Sequence, residues 1–165
     1  MTRPDLLRSW VSDIVGVFHP DYVWHDLAQI WQTPEKGEQH VAAMMGGTAS
    51  ERAERLVSRG ITAPVAEAMA AEQGEVMAQA ILALYRSAAQ PAMADLGRDL
   101  PRAAQRPGLA IVATEDHMVG TDDMRRHAAE QAGARVEVLD GLGHWWMVQD
   151  PARGARMLTD FWASL

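Results

Sequence analysis

The sequence contains no cysteine, so disulfide bonds, thiolate metal sites and cysteine nucleophiles are all excluded. Lys36 is the only lysine, and the net charge is −7. Because this charge would repel a phosphate backbone, we expect no nucleic-acid partner. No apolar run approaches the roughly 20 residues that span a bilayer, and residues 1–5 lack the apolar stretch of a signal peptide. We therefore expect a soluble, cytoplasmic protein without a membrane partner.

Hydrophobic residues, in contrast, make up 48% of the 165 residues, which is enough to form the core of one ordinary domain. Six tryptophans and ten methionines are many for this length. They indicate either an apolar cavity, a large contact surface or the filling of a core, and the sequence leaves these alternatives open.

Residues 1–105 show helical patterns and no convincing strand. Thr48 with Glu51 three residues later forms a capping-box pattern at a helix start. Apolar residues then recur at helical spacing between 76 and 85. We therefore predict a helical, cap-like region over residues 1–105, followed by a separate segment over 106–165.

The segment 106–165 alternates strand, helix, strand and helix. Residues 109–113 form a continuous apolar run, typical of a strand buried on both faces, and 136–139 form a second strand. A strand–helix–strand order of this length predicts two parallel strands. Two strands cannot form a stable parallel sheet alone, so the rest must come from elsewhere, as a homodimer or a complementing N-terminal half.

Asp116 follows the first of these strands and His144 follows the second. Because the carboxyl ends of neighbouring parallel strands meet at one edge of a sheet, we expect both side chains there. The carboxylate would then fix the imidazole tautomer, and the other ring nitrogen would serve as a general base. Taken singly, Asp116 could equally be a turn residue and His144 a loop histidine.

The segment that carries these residues resembles the part of the α/β-hydrolase superfamily fold that contains its last two strands. The resemblance rests on Glu115-Asp116, Gly141-Leu142-Gly143-His144 and Asp150-Pro151, which opens the final helix. Asp116 matches the family's acid and His144 its histidine, which follow the nucleophile in chain order. The resemblance implies a partial α/β-hydrolase fold, mostly helical, with a helical cap and a two-stranded parallel βαβ remnant.

The resemblance further implies hydrolysis of a small ester-like or related apolar substrate, without a cofactor. His144 would act as base toward a serine or aspartate nucleophile, and Asp116 would orient it. Side chains that could contact such a substrate flank the pair or lie in the tryptophan-rich region, although buried packing is the alternative for the latter. These candidates are Trp24, Trp31, Met118, Trp145 and Trp146.

The sequence departs from the family at the nucleophile, because it contains no Gly-x-Ser-x-Gly elbow. We therefore expect the isolated chain, as a truncated product or one half of a completed sheet, to be weakly active or inactive. Two alternatives stay open: a non-catalytic helical binding protein derived from a hydrolase, and part of a cofactor-independent dioxygenase of the same fold. His25 and His40 match no metal-motif spacing, so we expect no metal site.

Overall fold

The computed structural model describes residues 3–165, which form helices and one small parallel sheet. The chain divides into two compact units. One contains the residues up to Trp24 together with Gln90–Leu165, and the other is His25–Ala89. The predicted class, mostly helical with a partial α/β core, is confirmed.

The first unit contains three strands, β1 (Trp10–Ser12), β2 (Gly108–Ala113) and β3 (Arg135–Leu139), in the spatial order β1-β2-β3. Both pairs are parallel. Its helices are α6 (Ala92–Gly97), α7 (Asp122–Gln131), α8 (Trp146–Gln149) and α9 (Pro151–Ala163), with 3-10 turns at Pro4–Leu6, Val15–Phe18 and Leu100–Gln105.

The strand β1 was not predicted, because the sequence pattern indicates only two strands and none before residue 105. Trp10 lies opposite Gly108, and Ser12 lies opposite Ala110. The Trp10 indole occupies the place where a side chain on Gly108 would stand, because a Cβ there would lie 2.2 Å from the ring. A three-residue strand carries no alternation of its own, so only this pairing across the chain defines it.

The strand β2 is buried along its whole length, as its apolar run predicts. Leu109, Ile111 and Ala113 pack with Met157 and Phe161 of α9 on one face of the sheet. On the opposite face, Ala110 packs with small residues of α7 and with the 3-10 turns. Because successive strand residues point to opposite faces, this strand must be apolar throughout.

The second unit is entirely helical, and chain order places it between β1 and β2. Its helices are α1 (Asp26–Gln32), α2 (Lys36–Met45), α3 (Ala49–Val57), α4 (Ala63–Glu72) and α5 (Glu75–Ser87). Thr48 and Glu51 form the predicted capping box at the start of α3. Trp31, Val41, Ala78 and Leu82 form the core of α1, α2 and α5.

The division into units differs from the boundary expected at residue 105. The residues before α1 pack against the sheet: Val15 belongs to the core under α7, and Val11 packs on the core formed with α9. The residues before β2 do the same, because Leu100 and Ala103 lie in the core under α7. Among the described helices, none combines the length and apolar character that a bilayer crossing requires.

Candidate active site

The loops that follow β2 and β3 are bonded to each other at the carboxyl edge of the sheet. The Thr114 N–H donates to the Leu139 carbonyl at 3.2 Å, and the Glu115 N–H donates to the Leu142 carbonyl at 2.9 Å. The Gly141 N–H donates to the Thr114 hydroxyl at 2.9 Å. Each loop thereby positions the other.

Asp116 and His144 meet across these two loops. Their atoms Oδ2 and Nδ1 lie 3.0 Å apart. Because a carboxylate can only accept, His144 donates from Nδ1, and its Nε2 then carries the lone pair of the neutral ring. The second oxygen, Oδ1, accepts the Met118 N–H at 2.8 Å. Both oxygens of the carboxylate are therefore occupied, and the tautomer that leaves Nε2 basic is favoured.

Burial and charge act on the two groups in opposite directions. Burial by itself raises the pKa of Asp116, whose side chain is only 4% exposed, but the His144 hydrogen bond, the Met118 N–H and the charges of His144 and Arg125 outweigh it. The pKa of Asp116 is thus lowered. The hydrogen bond to Asp116 raises the pKa of His144, against the effect of burial and with help from the charges of Asp116 and Asp13.

The two tryptophans after His144 occupy different places. The Trp145 ring packs edge-on against the imidazole, with the ring centroids 5.1 Å apart. Trp146 is buried in the core between β2 and α9. Its indole N–H donates to Oδ2 of Asp13 at 3.0 Å. Trp145 is therefore the one that lies beside the histidine.

Asp13 is a second carboxylate of this region, and it was not predicted from the sequence. It comes directly after β1, as Asp116 comes shortly after β2. Its charge also contributes to the raised pKa of His144. The available signal was a polar residue at the end of a strand, but that strand was itself not predicted.

The comparison with protein families agrees with this geometry. The model of the Alpha/beta hydrolase family matches residues 7–157. The chain belongs to the alpha/beta hydrolase family. Comparison with the curated proteins and with the solved structures finds no significant match. The assignment to this hydrolase family therefore rests on the family model, and the parallel strands are consistent with it.

The other residues singled out from the hydrolase resemblance are more scattered. The Met118 side chain is partly exposed, and its backbone braces the Asp116 carboxylate. Trp24 packs beside Tyr22 in the unit that contains the sheet, with ring centroids 5.2 Å apart. Trp31 is buried in the helical unit, where its indole N–H donates to Nδ1 of His40 at 3.1 Å.

Metal ligands do not cluster in the described part of this hydrolase-family chain: within residues 3–165, no three His, Asp or Glu side chains are placed to hold an ion. The Nδ1 atom of His25 accepts the Ala28 N–H, and so caps α1. His40 is engaged by the Trp31 indole. These two histidines thus have structural contacts that account for them.

Proposed function

We propose that Asp116 and His144 are the acid and the base of a hydrolase site that acts on small ester-like substrates. The contact of 3.0 Å between Nδ1 and Oδ2, at the ends of neighbouring parallel strands, carries the proposal. With Nδ1 bonded to the carboxylate, the lone pair of Nε2 can accept a proton from an attacking hydroxyl or water. Asp116 stabilises the imidazolium that forms.

The surroundings of the pair support this role. The carboxylate is almost fully buried, whereas one third of the His144 side chain is exposed and accessible to a reactant. Trp145 lies against the imidazole and provides an apolar surface for a small substrate. In chain order the helical unit lies between β1 and β2, which is the place of a cap in this family, and we propose that role for it.

The sequence has no Gly-x-Ser-x-Gly elbow, so we expect slow turnover from this chain alone. A histidine–acid pair without its nucleophile and oxyanion donors loses most of the rate, because these parts act as a unit. We therefore expect a fluorophosphonate probe to label none of the six serines. Labelling of a serine would identify a nucleophile and contradict this expectation.

Hydrolysis of p-nitrophenyl acetate tests the base directly. We expect a slow rate that His144→Ala lowers by about a hundredfold, the lower end of a general base's contribution. Asp116→Asn should lower it less, because the imidazole remains but its tautomer is no longer fixed. His127→Ala, which replaces an exposed histidine of α7, is the matched control and should leave the rate unchanged.

Two outcomes would count against the proposal. Equal rates for the wild type and His144→Ala would show that the pair is not a base toward esters, and would favour a non-catalytic role. A loss of rate in His127→Ala as large as in His144→Ala would show that surface imidazole, rather than the site, causes the turnover.

A further inference from the structure

Arg125 is a fully buried arginine close to the candidate site. It lies on α7, and only 2% of its side chain is exposed. Its neighbour on the same helix, Arg126, is exposed, as an arginine on a surface helix ordinarily is. Burying a guanidinium costs free energy unless protein groups replace the hydrogen bonds that it made to water. The groups that bind Arg125 therefore indicate its role.

The guanidinium of Arg125 joins the helix to the end of β2. One terminal nitrogen donates to the carbonyl oxygen of Ala113 at 2.8 Å, and the other pairs with Asp122 one turn earlier on α7. The stem is packed beneath Gly16, where a Cβ would lie 2.9 Å from Cγ of Arg125. Both ends of the side chain are therefore fixed.

The Ala113 carbonyl is also the anchor of the turn that carries the acid. It accepts the Asp116 N–H at 3.1 Å, so Arg125 and the backbone of Asp116 share one acceptor. The far end of the same turn is held by the Tyr22 hydroxyl, which donates to the Met118 carbonyl at 2.6 Å. The carboxylate thus stands on a turn that is clamped at both ends.

We propose that Arg125 is a positioning residue of the site: by holding the Ala113 carbonyl, it fixes the acid-bearing turn and keeps Oδ2 of Asp116 on Nδ1 of His144. The inference rests on the proposed function of this pair. The charge of Arg125 acts in the same sense, because it helps to lower the pKa of Asp116. Besides Arg125, the described residues whose charges shift the pKa values of the pair are Asp116 and His144, each acting on the other, and Asp13, acting on His144.

The pKa of His144, followed by NMR through the Cε1 proton, tests the proposal without any need for turnover. In the wild type we expect this pKa above the ordinary value of 6.5. In Arg125→Met the turn loosens and the hydrogen bond weakens, so the pKa should fall toward 6.5. Arg126→Met, the exposed neighbour, is the matched control and should leave it unchanged. His144→Gln assigns the resonance.

Arg125→Lys separates charge from geometry. Lysine keeps the charge and most of the volume, but it lacks the planar fork that bonds Ala113 and Asp122 together. We expect a pKa of His144 between those of the wild type and Arg125→Met. This variant also keeps the test decisive if Arg125→Met does not fold.

A wild-type pKa in every folded Arg125 variant would overturn the proposal and leave Arg125 a structural residue only. A rise of the pKa would also overturn it, because it would mean that Arg125 acts on His144 by charge repulsion. The pKa measurement requires no substrate. Absence of esterase activity would therefore count against the proposed function, but the effect of Arg125 on the pKa of His144 could still be measured.

Discussion

At the scale of single residues, the hydrogen bond between Asp116 and His144 makes stability depend on pH. The pKa of Asp116 is lowered, so its contribution is fully present above its ordinary value of 3.8 and is lost as the pH falls through the folded-state pKa. The pKa of His144 is raised, so its contribution is fully present below 6.5 and is lost as the pH rises through the folded-state pKa. Both contributions are therefore complete only between these two values.

We accordingly expect His144→Ala to cost most stability within this window. A hydrogen bond between charged groups contributes about 1.5–3 kcal/mol, and the partial exposure of His144 favours the lower end. Urea unfolding at about pH 5.5 and about pH 9 measures the difference in free energy of unfolding between the wild type and His144→Ala. This difference should be smaller at the higher pH. An equal difference at both would show that the pair is not ionised as described.

At the scale of elements, α9 has a glycine in its interior because Trp146 packs against it. A Cβ on Gly154 would lie 2.8 Å from the buried indole of Trp146. Glycine costs a helix about 1 kcal/mol relative to alanine. An alanine would recover this propensity, but its Cβ would crowd the indole, and overpacking a core costs about 1–3 kcal/mol. The same indole donates to Asp13, so the glycine leaves room for the side chain that binds this carboxylate.

We therefore expect Gly154→Ala to destabilise the protein by about 1 kcal/mol, despite its better helix propensity. Ala155→Gly, at the exposed neighbouring position, measures the propensity alone and should cost about 1 kcal/mol. Thermal unfolding of Gly154→Ala and Ala155→Gly measures both changes in stability. A Gly154→Ala variant more stable than the wild type would mean that Trp146 moves aside freely.

The elements also show which parts of the fold the sequence predicts. The strand β2 was predictable because a strand buried on both faces reads as one apolar run. The strand β1 was not, since three residues gain their structure only from Gly108 and its neighbours, far along the chain. The contact between Asp116 and His144 was predictable from two strand ends. The burial of Arg125 was not, because an arginine within a helix is ordinarily a surface residue.

At the scale of the whole molecule, the two edges of the sheet differ. Along β3, Arg153 donates to the carbonyls of Val138 and Asp140 and so occupies part of that edge. Along β1, no strand of the described residues pairs on the outer side. The Trp10 N–H donates inward, to Pro107, so the N–H of Val11 points outward, because strand groups alternate. An open strand edge is a template for pairing.

We therefore expect a second copy of the chain to pair with the outer edge of β1, since identical edges can join through a two-fold axis. Sedimentation velocity should show a dimer that forms with rising concentration. Val11→Pro removes the outward N–H without breaking a bond to β2, and we expect it to shift the population to monomer. Val76→Ala replaces an exposed residue of the helical unit and should leave the dimer population unchanged. A wild type that stays monomeric at high concentration, or a proline variant that still dimerises, would exclude this edge as the interface.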